Sequence, residues 1–224
     1  FPNGALQPVG NTLGPLTGVG GQIEFIDQDK GSPWVQQYSV DVERQLGESL
    51  SVGVEYVGAT GRSLGLGGSN GAVVNINQLD PRHLSLGAGL FDQVPNPFFG
   101  LPAGQGFAVT SPTVQHRQLL RPFPQFGDIL MRQHTAGRSQ YHAAVLKAEK
   151  RMTNGWGGRV SYTYSRLKDN QFGETNFMQP NTPEALNAYD LDAEYALGLI
   201  DVPHKIMLAP VVELPFGAGK RWMN

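Results

Sequence analysis

Residues 141–168 read YHAAVLKAEKRM, TNG, WGGRVSYTYSRLK. Ahead of the central Thr153-Asn154-Gly155, Ala144, Leu146 and Ala148 alternate with Ala143, Val145, Lys147, Glu149 and Arg151. After it, Val160, Tyr162 and Tyr164 alternate with Arg159, Ser161, Thr163 and Ser165. Period-two alternation of this length predicts two strands, each with one apolar and one polar face, and Thr-Asn-Gly is turn chemistry. Face parity selects the loop. A two-residue Asn-Gly loop in an otherwise regular hairpin places Glu149 opposite Val160. A three-residue loop pairs Met152 with Trp156, and then Ala148 faces Val160, Leu146 faces Tyr162, Ala144 faces Tyr164 and Glu149 faces Arg159. The three-residue loop is therefore expected, with Gly155 at positive φ closing a bulge.

Working outward, QQYSVDVERQL and LSVGVEYVG flank Gly47-Glu48-Ser49 and repeat the pattern, again with an odd loop. In the simplest register Asp41 opposes Glu55, a like-charge pair that destabilises a sheet unless compensated. Lys147 lies at a similar height on the next predicted strand. HKIMLAPVVEL supplies a fifth strand, although Pro210 removes a ladder donor in its middle. The expected strands lie near 34–46, 49–60, 140–152, 156–168 and 204–215. They are separated by long segments 1–33, 66–139 and 169–203, and the whole of 1–224 reads as one partial barrel domain. Gln22–Ile26 suggests a short extra strand. Thr182-Pro183 reads as the N-cap and first residue of a helix through EALNAYDLDAEYAL. Lys220-Arg221-Trp222 begins what reads as a sixth strand.

The whole chain sets bounds. Its 224 residues carry a net charge of −2, which gives no basic footprint for nucleic acid. No cysteine is present, so neither a disulfide framework nor a thiolate metal site is available. Glycine (29) and proline (16) favour turns and long connections over helix. The start, FPNGALQPVGNTLGPLTG, lacks signal-peptide character. No run reaches the ~20 apolar residues of a membrane helix, but a barrel strand needs only about 9–11 residues with alternate positions apolar. Short turns alternating with very long connections is the asymmetry of outer-membrane barrels. It predicts an all-β, antiparallel up-and-down meander, a segment of a large barrel, with long extracellular loops carrying minor helix. Residues 66–139 and 169–203 fall on the outer side, and the turns near Gly47, Asn154 and Gly217 on the periplasmic side. Trp34, Trp156, Tyr162, Tyr164 and Trp222 are placed as interface aromatics.

The segments SPWVQQYSVDVERQL, VEYVGATGRSL, NQLDPRHLSLG, VPNPFFG, LLRPFPQF, YHAAVLKAEKRM, VSYTYSRLKD and DVPHKIMLAPVVELPFGAGKRW resemble, in that order, the barrel region of Oar-like TonB-dependent receptors. The resemblance covers about Ser32 to Trp222. It implies a large barrel, about 22 strands in such transporters, of which this chain resembles a part, with an internal plug. It also implies uptake powered by the periplasmic TonB protein, or surface binding, of an unknown solute. The implied partners are outer-membrane lipid, the rest of the barrel, the plug and TonB.

Catalytic motifs are missing. The histidines form no HExxH, GRSLGLGGSNG lacks a phosphate-loop ending, and no serine sits in GxSxG. No enzyme activity, cofactor or metal is expected. Asp190, Asp192 and Glu194 lack the glycine and final glutamate of a calcium loop. The one constellation is a mixed-charge polar wall of Asp41, Glu43, Glu55, Lys147, Glu149 and Arg159, expected to face the lumen. The alternative is a soluble all-β binding module, a secreted sandwich for glycans or proteins, whose apolar face would pack on a second sheet.

Overall fold

The computed structural model describes residues 12–66, 73–101, 106–170 and 184–217. The chain divides into two compact units.

One unit spans Ser32–Leu64, Ala136–Gln171 and Tyr195–Asn224. Its sheet is built from β2 (Trp34–Leu46), β3 (Leu50–Leu64), β8 (Gly137–Thr153), β9 (Trp156–Asp169) and β11 (His204–Val212). They pair antiparallel in the order β2-β3-β8-β9-β11. β10 (Ala196–Leu197) pairs with the end of β9. β2 matches the expected 34–46, β3, β8 and β9 run one to four residues past theirs at one or both ends, and β11 stops at Val212 rather than near 215. The start of a sixth strand, with Trp222, lies outside the described residues.

The hairpin between β8 and β9 keeps the expected faces but not the expected turn. Glu149 lies opposite Arg159, Leu146 opposite Tyr162 and Ala148 opposite Val160, as face parity requires. Thr153, not Met152, pairs with Trp156, so the loop is two residues long. Asn154 (φ 53°) and Gly155 (φ 80°) both take the left-handed region, as a type I′ turn requires. The odd residue is absorbed by a register shift between Lys150 and Thr153, a bulge two positions before the turn. Asn-Gly is the most favourable two-residue turn, and a bulge accommodates an extra residue without turning either face. Gly157 makes the bulge possible. A Cβ there would stand 2.8 Å from the Lys150 carbonyl oxygen and 2.9 Å from the Met152 nitrogen.

Pro210 sits inside β11 opposite Gly158 without ending the strand. Pro203 C=O accepts from Ser165 N–H, and Glu213 N–H donates to Gly155 C=O. Both bonds fall on odd-numbered residues at this edge. In an antiparallel pair the even positions then point their N–H groups the other way. The donor that Pro210 lacks therefore belongs to the edge away from β9.

The other unit spans Phe1–Gly31, Gly65–Thr135 and Phe172–Glu194. Residues 66–139 show no sequence period, yet the described part of this unit is ordered around short strands. β1 (Ile23–Ile26) pairs parallel with β7 (Ile129–Arg132), which pairs antiparallel with β4 (Val73–Asn75). β5 (Gln93–Pro95) pairs with β6 (Thr113–Gln115). The parallel pair departs from the purely antiparallel expectation. Buried asparagines take the place of longer ladders. The fully buried Asn77 donates Nδ2 to the carbonyls of Phe123 (2.9 Å), Phe126 (3.2 Å) and Gly127 (2.7 Å), and its Oδ1 accepts from Phe123 N–H. Asn96 ties Phe107 and Ser111 in the same way. A buried amide satisfies carbonyls that no strand neighbour reaches. At the edge of this sheet Arg132 bonds Glu24 (2.7 Å) and His134 bonds Asp27 (2.8 Å). Those bonds hold both carboxyls below their ordinary pKa.

The expected helix after Pro183 does not form. Thr182 and Pro183 lie outside the described residues, and of the rest only Leu191–Glu194 makes a 3₁₀ turn. Asn187 Oδ1 accepts from Tyr189 N–H and Asp190 Oδ1 from Ala193 N–H. Such local bonds compete with helical ones.

The bulge yields a test. Gly157→Ala drives a methyl into backbone atoms and should destabilise the folded protein by about 1–3 kcal/mol, the range for overpacking. Gly155→Ala meets open space and pays only left-handed strain, about 1–2 kcal/mol. Urea unfolding of the detergent-solubilised protein should rank Gly157→Ala the more damaging; the reverse order would contradict the placement of the bulge.

Candidate functional site

Register turns residue parity into geometry. Every pairing among the long strands joins even to even and odd to odd outside the two register shifts. One face therefore carries the even positions and the other the odd ones.

The even face is apolar through its middle: Val40, Val42, Val54, Tyr56, Leu146, Val160, Tyr162, Tyr164, Ile206 and Leu208. It is also bare. Val40 is 65% and Leu208 71% exposed, and no second sheet in this unit packs on it among the described residues. A sandwich would bury such a face against a second sheet. Trp34, Trp156, Tyr162 and Tyr164 all lie on it, and Trp222 lies outside the described residues. At the end where β3 and β9 run into the long connections, Tyr56 OH lies 2.6 Å from His142 Nδ1 and Tyr162 OH 2.8 Å from His204 Nδ1. Each histidine stands one pair along from the residue directly opposite its tyrosine, so the two rungs share one diagonal geometry. Tyr38 lies over Gly58, where a Cβ would overlap the edge of its ring. At the turn end, Lys150 Nζ sits 4.1 Å from the Trp156 ring centroid and donates to the Trp156 carbonyl.

The odd face holds the wall of charge. Asp41 pairs with Glu55, as the simplest register requires. Lys147 lies beside Gly53, reaching Asp41 Oδ2 at 2.8 Å and Glu55 Oε2 at 3.3 Å. The lysine stem passes over Gly53, where a Cβ would stand 3.2 Å from both Lys147 Cε and Cγ. Gly53 is thus a slot that lets a cation on β8 cross β3 to a carboxylate on β2. Arg159 clasps Glu149 through Nη2 (2.6 Å) and Nε (3.0 Å). Glu43 shares this face, opposite Gly53. All six wall residues are therefore on one surface, five of them in two ion-paired clusters rather than a continuous ladder. Alternation sufficed to put them there. The Gly53 slot and the two tyrosine–histidine rungs escape a one-dimensional reading because they are diagonal or cross-strand relations, visible only once register is fixed.

Among the described residues no group of His, Asp or Glu converges as a metal site. No helix of the described chain is long and apolar enough to cross a membrane, which says nothing of strands.

The family described as "outer membrane beta barrel domain" has a model that matches residues 1–224. No curated protein and no solved structure matches the chain.

The slot defines a test. Lys147→Met leaves Asp41 and Glu55 opposed without a cation and should lower the denaturant midpoint slightly, as loss of a partly exposed pair does. Adding Asp41→Asn should restore part of it. Denaturant midpoints for the double-mutant cycle would measure the coupling; additive losses would show that Lys147 does not compensate this pair.

Proposed function

Because the chain belongs to the outer membrane β-barrel domain family, which places it in the outer membrane, we propose that its sheet is part of the wall of a receptor that takes up or binds a solute at the cell surface. The even face meets lipid and the odd face lines the water-filled interior. Only an apolar face tolerates hydrocarbon, whereas barrel interiors are polar. From Trp156 to Tyr164 on β9 the apolar stretch climbs eight positions, roughly 26 Å along the strand. Tilt shortens that to about 20 Å, close to the ~25 Å band of such barrels.

The observation that carries the proposal is the company this sheet keeps. Its strands are joined at one end by the short turns at Gly47 and Asn154-Gly155, and at the other by long segments folded into a unit of their own. A passive structural wall needs no such unit. Loops held by buried asparagines and paired strands suit recognition on the outer side. Coupling to the periplasmic TonB protein and contact of a plug with the Asp41–Lys147–Glu55 cluster extend this reading from the resemblance of the sequence. The protein acts by binding and passage rather than by catalysis.

Cells producing the protein should bind and accumulate a solute too large for general pores, drawn from labelled peptides, oligosaccharides and metal chelates. Accumulation should collapse when the proton-motive force is dissipated. Uptake that continues unchanged without that force would contradict energy coupling. Neither binding nor uptake across the panel would contradict the receptor reading.

A further inference from the structure

The charges on the sheet are sorted by face more strictly than hydropathy requires. Asp41, Glu43, Glu55, Glu149 and Asp169 all occupy the odd face. The even face has no acid on any long strand, but it does have cations, and they stand at its two ends. At the turn end stand Arg44, opposite Val52, and Lys150, which is engaged with Trp156 and with the carbonyls of its own turn, Thr153 included; at the loop end Arg138 lies over the Tyr195 ring. At the loop end Arg62, Arg166 and Lys168 have no carboxylate partner among the described residues.

Register brings several of these groups together. Arg166 stands directly opposite His142 on β8. Across the other edge of β9, Tyr164 pairs with His204, so Arg166 is diagonal to His204 as well. Lys168 is the next even-face residue beyond Arg166 and faces Gln140. Arg62 continues the row on β3, opposite Trp34. Both imidazoles are held by tyrosine hydroxyls at Nδ1. Where a tyrosine donates to Nδ1, the ring N–H lies on Nε2 and is the imidazole's remaining donor. Guanidinium and imidazole donors in one patch, with no acid to neutralise them, match phosphate oxygens.

Resting on the reading of the even face as lipid-facing, we propose that Arg62, His142, Arg166, Lys168 and His204 form a belt that binds the phosphate of a lipid headgroup of net negative charge, in the leaflet at the loop end of the strands. The height fits. The belt begins at the Tyr56–His142 and Tyr162–His204 rungs, where the apolar stretch ends, and long cationic side chains there reach to headgroup level. The occupant is a phospholipid rather than a free anion, because the belt borders an apolar surface that an acyl chain would cover.

The test uses protein extracted from outer membranes and reconstituted in phosphatidylcholine bilayers. Spin-labelled phosphatidylglycerol and spin-labelled phosphatidylcholine are added in turn, and the motionally restricted boundary fraction is measured. The wild type should favour phosphatidylglycerol roughly fivefold or more, the scale of one or two cations near a charged surface. Arg62→Gln, Arg166→Gln and Lys168→Gln combined should bring the ratio close to one. Lys205→Gln, on the odd face, should leave it unchanged and matches the charge removed by Arg166→Gln alone. Gel mobility of the folded form identifies variants that fail to fold, and Arg166→Gln alone, which should lower the ratio partway, then carries the test. A wild-type ratio of one, or a triple variant that retains selectivity, overturns the belt. Loss of selectivity on adding inorganic phosphate at constant ionic strength would assign the site to a free anion and also overturn it. A boundary signal without headgroup preference refutes only this inference. No boundary signal with either lipid refutes the lipid-facing reading beneath it.

Discussion

Within a bilayer an unpaired peptide N–H or C=O finds no water and costs several kcal/mol. Spanning backbone must therefore pair with its neighbours, and side chains can vary only by face. That constraint underlies the sheet described here. Its register is continuous over β2, β3, β8, β9 and β11, interrupted by one irregularity in β3 and one bulge in β8. Even Pro210 lies where its missing donor costs β9 nothing. Once pairing is fixed, the odd face can gather carboxylates and the even face can exclude them. A one-residue slip would send Val and Tyr to the polar side.

The charge cluster shows how such a face is tuned. Asp41 opposite Glu55 would repel, and the remedy sits two strands away in Lys147. The lysine reaches across because Gly53 leaves a channel over β3. A glycine in mid-strand weakens a sheet locally. Here it offsets that cost by admitting the one cation that both carboxylates share.

Much of this was legible in the sequence. Alternation located the strands, and face parity put Glu149 opposite Arg159 and Leu146 opposite Tyr162. Parity counts residues modulo two, however. It cannot distinguish a three-residue loop from a two-residue turn plus a bulge, and Gly157, where a Cβ finds no room, marks the second. The long connections were less legible. Their order rests on Asn75, Asn77 and Asn96, side chains that bind backbone far along the chain and leave no period. The helix expected after Pro183 failed for the converse reason: Asn187 and Asp190 satisfy nearby amides themselves. The six wall residues were placed on one face by alternation alone, while the histidine rungs required the register.

The central claim is that residue parity along β3 separates lipid from water. The sequence has no cysteine, so single cysteines can be placed one at a time at Ser51, Val52, Val54, Glu55, Tyr56 and Val57 and probed in outer membranes with a membrane-impermeant maleimide. Labelling should alternate, strong at Ser51, Glu55 and Val57 and weak at Val52, Val54 and Tyr56. Uniform labelling along the strand, or strong labelling at the even positions, would contradict the account.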